Sequence, residues 1–170
     1  MRCFVIMGVA GCGKSTVGAA LAQQAGATYL DGDDLHPPGN IAKMSAGLPL
    51  DDEDRAPWLD LVGQALRDRA GTCLIGCSAL KRTYRDRIRR AAQEPVGFLH
   101  LAGPREVIEA RMSQRTGHFM PVALLDSQFA TLEPLQPDET GLAVDIDQSF
   151  ESVVAALAAE VARQSLQAGE

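Results

Sequence analysis

Several classes of protein are excluded by what this chain lacks. Its four cysteines form no C-x-x-C pair, and no set of cysteines and histidines has the spacing of a zinc site. No stretch approaches the roughly 18 consecutive apolar residues of a membrane-spanning helix. With a net charge of −6 and 5% aromatic residues, the chain lacks the basic surface with interleaved aromatics that is typical of nucleic-acid-binding proteins. We therefore expect a cytoplasmic protein with reduced cysteines and without a nucleic-acid or membrane partner.

Internal repeats and low-complexity segments are also absent. The 170 residues are ample for one domain and short for two, and 46% hydrophobic with 22% charged residues is ordinary for a globular protein. The apolar run at residues 3–7 is too short for a signal peptide and continues into a Gly-Lys-Ser-Thr sequence. We predict a single domain over residues 1–170 with a flexible tail at 164–170.

Short apolar runs alternate with longer segments of helical periodicity. The runs predict five strands, at residues 3–7, 27–30, 72–77, 96–101 and 142–146. The longer segments predict helices at residues 14–25, 41–46, from about 55 onward, 81–92, 104–115, 122–132 and 149–163. Asn40 is predicted to cap the second helix after a Pro-Pro-Gly loop. This alternation predicts an α/β fold, with a five-stranded parallel sheet and helices on both of its faces.

The first predicted strand leads into a glycine-rich turn that fills the pattern G-x-x-x-x-G-K-[ST], here called the phosphate loop (residues 8–15). Glycines let the backbone wrap around an anion, and the following helix adds its free N–H groups and its dipole. We expect Lys14 to reach the β- and γ-phosphates of a nucleotide and the Ser15 hydroxyl to bind Mg²⁺. The predicted nucleotide-binding residues here are Gly8, Gly11, Cys12, Gly13, Lys14, Ser15 and Thr16.

Acidic residues follow the second predicted strand, in a segment here called the acidic turn (residues 31–34). Because ligands bind beyond the carboxyl ends of parallel strands, this turn should lie near the phosphate loop. One carboxylate there can hold Mg²⁺ through water, and another can accept the proton of an attacking hydroxyl. Asp31 and Asp33 are the candidates for these two roles and Asp34 is a weaker one, with a solvated turn as the alternative. His36 can donate to a polar substrate or can simply be solvated.

Basic residues follow the third predicted strand. Lys81 and Arg85 are four apart on one helix face, beside Arg82 and close to Ser78. This group is suited to bind the carboxylate of a substrate. The alternative is a solvated basic surface.

Two further arginines, Arg111 and Arg115, lie one turn apart before a glycine-containing connector at residues 116–121. Arginines at such a junction can close over ATP and neutralise phosphoryl charge. The alternative is that they complement the end of a helix. His100 lies within an apolar run, where we expect a buried histidine rather than a catalytic one.

Several stretches together resemble the gluconate kinase family of P-loop kinases. They are Gly8–Thr16, Asp31–Asp33 with Leu35–Pro37, Asn40–Met44, Gly47–Leu50 with Asp52, Asp54–Arg55 and Pro57–Leu59, Cys77–Arg82 with Tyr84–Asp86, Gly117–Met120 with Ser127–Phe129, and Val144–Asp147. The resemblance covers roughly residues 4–162. It implies a three-layer P-loop fold with a small lid at about residues 112–125, a relationship to shikimate and adenylate kinases, and a homodimer.

The resemblance also implies an activity, the transfer of the ATP γ-phosphate to the 6-hydroxyl of D-gluconate. It implies catalytic roles for Lys14, Asp33 and Arg115, and nucleotide contacts for Arg111 and Arg115. The implied substrate-binding residues are Asp33, His36, Arg55, Ser78, Lys81, Arg82 and His118. Since the third strand ends in Cys77-Ser78 without an aspartate, Mg²⁺ is expected on Ser15, phosphates, water and Asp31.

Two alternatives stay open at this point. One is a kinase for another small acceptor, such as shikimate, a nucleoside or a different sugar acid. The other is a nucleotide-binding module without catalysis. A GTPase is disfavoured because the sequence has no Asn-Lys-x-Asp motif for reading the base.

Overall fold

The computed structural model describes residues 1–114 and 122–167. The strands are β1 (Cys3–Met7), β2 (Thr28–Asp31), β3 (Cys73–Gly76), β4 (Val96–Ala102) and β5 (Gly141–Asp145). The helices are α1 (Lys14–Ala25), α2 (Pro38–Ser45), α3 (Asp52–Asp68), α4 (Arg82–Ala92), α5 (Arg105–Ser113), α6 (Val122–Thr131) and α7 (Phe150–Gln167). A 3₁₀ turn at Gly32–Leu35 joins β2 to α2. No helix within these described ranges is long and apolar enough to cross a bilayer.

The five strands form one parallel sheet in the order β2-β3-β1-β4-β5. The central strand β1 is fully buried, and its side chains alternate between two cores. Phe4 and Ile6 belong to the core that includes residues of α1 and α7. Val5 and Met7 belong to the core that includes residues of α3 and α4. Helices therefore cover both faces, which confirms the predicted fold class.

The strand order determines where the loops meet. Because β2, β3 and β1 are neighbours, the segments that follow them emerge side by side at the carboxyl edge of the sheet. The amide of Gly8, after β1, donates to the carbonyl oxygen of Ser78, after β3, at 3.3 Å. The fold thus brings together the phosphate loop, the acidic turn and the start of the basic segment.

The start of α2 differs from the sequence prediction. The helix begins at Pro38, with Pro37 in the capping position, so the predicted loop through Gly39 is wrong. A proline suits the first helical turn, where its missing N–H has no partner to lose. Asn40 is consequently not a cap but a buried residue inside the helix.

The end of α7 also differs. The helix continues to Gln167, four residues past the predicted end. The amino group of Met1 donates to the carbonyl oxygen of Gln164, and the Ser165 hydroxyl donates to that of Met1. The two ends of the described chain are therefore held together.

Candidate active site

The phosphate loop depends on glycine backbone geometry. Gly8 and Gly13 have φ values of +146° and +100°, in a region that side chains disfavour. A Cβ atom on Gly8 would lie 2.9 Å from the carbonyl oxygen of Leu101, so substitution would also collide with β4. Gly13 directly precedes the first turn of α1, whose free N–H groups suit an anion.

Lys14 and Ser15 are the first two residues of α1. The Lys14 ammonium donates to the carbonyl oxygens of Gly8 and Val9, at 3.0 and 3.1 Å, and so lies across the loop. The Ser15 hydroxyl donates to an Asp31 carboxylate oxygen at 3.3 Å. This contact joins α1 to the end of β2 and makes two oxygen ligands adjacent.

These two oxygen atoms fit Mg²⁺, which prefers oxygen ligands and keeps several waters. Within the described part of the chain, no cluster of three or more His, Cys, Asp or Glu residues has metal-binding geometry. A bound ion would therefore take its remaining ligands from phosphate oxygens and water. When bound, it would neutralise phosphate charge.

The acidic turn leaves the side chain of Asp33 exposed to solvent. Asp31 accepts a hydrogen bond from the Asp33 amide at 3.0 Å, which fixes the turn. Desolvation, and then the negative charge of Asp31, raise the pKa of the Asp33 carboxyl. Its side chain is nevertheless 83% exposed, so solvent screens these effects. An exposed carboxylate at this position is accessible to an acceptor hydroxyl.

His36 is buried against the acidic turn rather than solvated. Its ring stacks on Trp58 with centroids 4.2 Å apart, and Trp58 Nε1 donates to the Gly32 carbonyl oxygen at 2.7 Å. Asn40 Nδ2 lies 3.2 Å from His36 Nδ1, and His36 Nε2 lies 3.9 Å from Asp33 Oδ1. Burial lowers the pKa of His36, so the ring is neutral near pH 7.

Two of the predicted substrate cations share one carboxylate, in what we call the Asp52 cluster (Asp52, Arg55, Lys81 and Tyr84). The Lys81 ammonium lies 3.1 Å from an Asp52 oxygen, and the Tyr84 hydroxyl donates to Asp52. An Arg55 nitrogen lies 3.9 Å from Asp52. Both cations also lie against the Tyr84 ring. Two cations around one carboxylate leave a net positive charge, which suits an anionic substrate that takes over part of the pairing with Asp52.

Two arginines of α4 that the sequence groups with Lys81, namely Arg82 and Arg85, have different surroundings. Arg82 donates both terminal nitrogens to Asp138, at 2.7 and 2.8 Å, so a ligand would have to replace that partner. Arg85 is fully buried and paired with Glu139 at 2.7 Å, and it also donates to backbone carbonyls. The suggestion that Arg85 binds substrate is therefore wrong, because its guanidinium is enclosed in the core.

Side chains of α5 and α6, the helices on either side of residues 115–121, lie near the phosphate loop. Arg111 donates to the Ile146 carbonyl oxygen at 2.5 Å, and a Cβ atom on Gly13 would lie 3.9 Å from its guanidinium. Gln128 of α6 accepts a hydrogen bond from the Ala10 amide at 2.6 Å. Arg115 and His118, which were predicted as lid residues, lie outside the described residues.

Three residues near the site, Asn40, Trp58 and Gln128, were not predicted to contribute to it; Asn40 was predicted only as a helix cap. All three occur in the stretches that carry the family resemblance, but their spacing gives no signal of a contact with the site. His100, in contrast, is buried in β4, as predicted.

Comparisons with known proteins agree with this geometry. The family model described as an AAA domain matches residues 4–135. The thermosensitive gluconokinase of Escherichia coli (strain K12) is 49% identical over 154 residues, covering 88% of this chain and 82% of that protein. The chain belongs to the gluconokinase family. The resemblance stated from the sequence is thereby confirmed.

Solved structures extend this likeness from the family to the fold. The crystal structure of a gluconokinase from Sinorhizobium meliloti 1021 superposes with a TM-score of 0.89 at 44% identity, covering 98% of this chain and 94% of that one. The shikimate kinase of Aquifex aeolicus superposes with a TM-score of 0.63 at 16% identity, covering 98% of this chain and 99% of that one. The second likeness shows a common fold alone.

Proposed function

We propose that this gluconokinase family member transfers the γ-phosphate of ATP to the 6-hydroxyl of D-gluconate, giving 6-phospho-D-gluconate and ADP. The observation that carries the proposal is the contact between Ser15 and Asp31 at 3.3 Å, which puts the phosphate loop beside the acidic turn. A phosphoryl donor and a hydroxyl acceptor can therefore meet at this edge of the sheet. We propose gluconate as this acceptor because the similar proteins are named gluconokinases.

The donor side binds and polarises ATP. Backbone N–H groups of the phosphate loop and the Lys14 ammonium bind the β- and γ-phosphates. Ser15 and Asp31 would hold Mg²⁺, which supplies charge neutralisation at the phosphates. Arg111 lies close enough to Gly13 to contribute further positive charge, and Arg115 is proposed to do so from the lid.

The acceptor side orients gluconate and removes a proton. The Asp52 cluster offers Lys81 and Arg55 to the substrate carboxylate, with Ser78, Arg82 and His118 as further proposed contacts. Asp33 takes the proton of the 6-hydroxyl while the oxygen of that hydroxyl bonds to the γ-phosphorus. The bond from that phosphorus to the bridging oxygen breaks, and ADP leaves. Positioning and charge stabilisation supply most of the rate enhancement.

An acceptor panel tests this proposal. The purified chain is assayed with ATP and Mg²⁺ against gluconate, shikimate, a nucleoside and other sugar acids, with ADP release measured by a coupled assay. We expect turnover on gluconate to exceed that on every other acceptor. A faster rate on another acceptor would transfer the assignment to that substrate, and no turnover on any acceptor would indicate a non-catalytic module.

The resemblance also supports three finer points, namely Mg²⁺ as the metal, a cytoplasmic location and a homodimer. Removal of Mg²⁺ from the assay by chelation with EDTA should abolish turnover. Light scattering coupled to size-exclusion chromatography should give twice the mass of the 18.1 kDa chain. A monomeric mass at assay concentration would contradict the dimer.

A further inference from the structure

One buried side chain, Asn40, determines which ring nitrogen of His36 carries a proton. Asn40 Nδ2 lies 2.9 Å from the carbonyl oxygen of Asp54. A backbone carbonyl can only accept, so the amide nitrogen of Asn40, and not its oxygen, must face it. The same Nδ2 lies 3.2 Å from His36 Nδ1. Nδ1 therefore faces a donor and is unprotonated, which leaves the proton of the neutral ring on Nε2.

The protonated Nε2 faces Asp33. The 3.9 Å between Nε2 and Asp33 Oδ1 is too long for a direct hydrogen bond. A hydroxyl oxygen about 2.8 Å from each of these atoms makes an angle of roughly 90° between them and can bond to both. It accepts from His36 and donates to Asp33. One lone pair then remains free, with its direction set by the other two contacts.

The ring of His36 is held tightly enough to fix that direction. The imidazole side chain is only 5% exposed and is stacked on Trp58. Trp58 is in turn bonded to Gly32, inside the acidic turn. Asn40 is also buried and is bound to Asp54 at the start of α3. The acidic turn, α2 and α3 therefore all hold this one imidazole. They do so through contacts that depend on the identity of particular side chains.

We propose that Asn40 is a positioning residue of the acceptor site. It holds His36 as the Nε2–H tautomer, so that His36 and Asp33 form a donor–acceptor pair for the reacting hydroxyl of a polyhydroxy acid. The inference rests on the proposed function, since it takes Asp33 as the group that accepts the hydroxyl proton. Such a pair also discriminates against acceptors that lack a hydroxyl at this position, because both groups would then be unpaired.

Nitrogen-15 NMR of the wild-type ring tests the tautomer without any substrate. The chain has three histidines, and the His36→Gln variant assigns the resonances of His36. We expect a pyrrole-type shift at Nε2 and a pyridine-type shift at Nδ1. The reverse pattern would overturn the proposal, whatever the activity of the enzyme.

Kinetics of Asn40→Asp test the consequence. This near-isosteric change replaces the donor by carboxylate oxygens, which favour a proton on Nδ1. We expect kcat on gluconate to fall on the order of 10- to 100-fold, with the KM for ATP unchanged. The matched control is Lys43→Met, which removes another contact between α2 and Asp54 but does not touch His36. Its kcat should stay near the wild-type value.

The His36→Phe background separates positioning from a merely structural role. Its ring can still stack on Trp58 but carries no proton for Asn40 to place, so Asn40→Asp should cost less than about threefold there. An equal loss in both backgrounds would overturn the proposal. Should Asn40→Asp fail to fold, Asn40→Leu removes the donor without adding charge, and the same comparison applies. If the wild type prefers another polyhydroxy acid, the proposed function fails, and both tests are run on that substrate.

Discussion

The donor and acceptor sides of this site are built in different ways. The donor side is centred on one continuous segment, residues 8–15, whose backbone N–H directions are set by glycine conformations, and Asp31 and Arg111 add to it from outside that segment. The acceptor side uses side chains from the acidic turn, α2, α3 and the start of α4. A continuous backbone site tolerates changes elsewhere in the chain, whereas the acceptor side depends on contacts between distant residues.

This difference predicts different consequences for mutations. Changes on the acceptor side should affect gluconate turnover and leave ATP binding intact. Changes in the phosphate loop should affect both. The experiments below test whether the two sides are separable, from the largest expected effect to the smallest.

The first test concerns Asp33. We expect Asp33→Asn to lower kcat by about 10²- to 10⁴-fold, because the amide cannot accept the hydroxyl proton. ATP binding, measured by isothermal titration calorimetry, should not change. Asp34→Asn is the matched control, since Asp34 is the exposed neighbour in the same turn. Comparable losses in both variants, or weaker ATP binding by Asp33→Asn, would contradict separate donor and acceptor sides.

The second test concerns the buried pair of Arg85 and Glu139, which holds α4 and hence Lys81 in place. Burial by itself would raise the pKa of Glu139, but the hydrogen bonds from Arg85 and other donors hold it at about 2. Arg85→Met leaves that carboxylate buried without its main partner, so we expect the free energy of unfolding to fall by about 3–5 kcal/mol. Urea denaturation measures the loss.

The matched control for the second test is Arg87→Met on the same helix. Arg87 pairs with Asp60 but is partly exposed, so its loss should cost about 1 kcal/mol or less. The double variant Arg85→Met with Glu139→Leu should recover much of the stability, because it removes both buried charges. A stable single Arg85→Met variant would show that the pair does not hold α4.

The third test concerns the substrate carboxylate. Lys81→Ala should raise the KM for gluconate by about 10- to 100-fold, the worth of a hydrogen bond to a charged group, with little change in the KM for ATP. Arg90→Ala, exposed on the same helix, serves as the control. A larger effect on ATP than on gluconate would place Lys81 on the donor side instead.

The same contrast explains which parts of the site could be predicted from sequence. Gly8, Gly13, Lys14 and Ser15 are adjacent in the chain and are fixed by local backbone geometry, so their spacing alone identified the phosphate loop. The β1 boundaries followed equally directly from a short apolar run. Local signals of this kind need no knowledge of tertiary contacts.

Asn40 and Arg85 show where local signals end. The pattern predicted a helix cap at Asn40 and placed Arg85 in a basic group suited to bind a carboxylate, because both residue types favour those roles. Asn40 is instead buried in α2 against Asp54, fourteen positions away, and Arg85 against Glu139, 54 positions away. Tertiary partners at such separations determined the outcome, and no spacing rule encodes them. Gln128 contacts Ala10 across 118 positions for the same reason.

The smallest expected effect is the pH dependence of stability. Burial lowers the pKa of His36 and of His100, while both titrate near 6.5 in the unfolded chain. Below about pH 6.5 the unfolded chain therefore binds more protons than the folded one, so stability falls as the pH drops, by at most about 1.4 kcal/mol per pH unit for each histidine.

Urea denaturation between pH 7.5 and 5.5, followed by the fluorescence of Trp58, measures this slope above the range in which most carboxylates titrate. Trp58 is the single tryptophan and stacks on His36, so it reports directly on the acceptor side. His36→Gln should reduce the slope, because His100 is then the only one of these two histidines that contributes. An unchanged slope would mean that protonation does not affect the buried acceptor side more than the backbone-built donor side. A group other than His36 would then take up the proton.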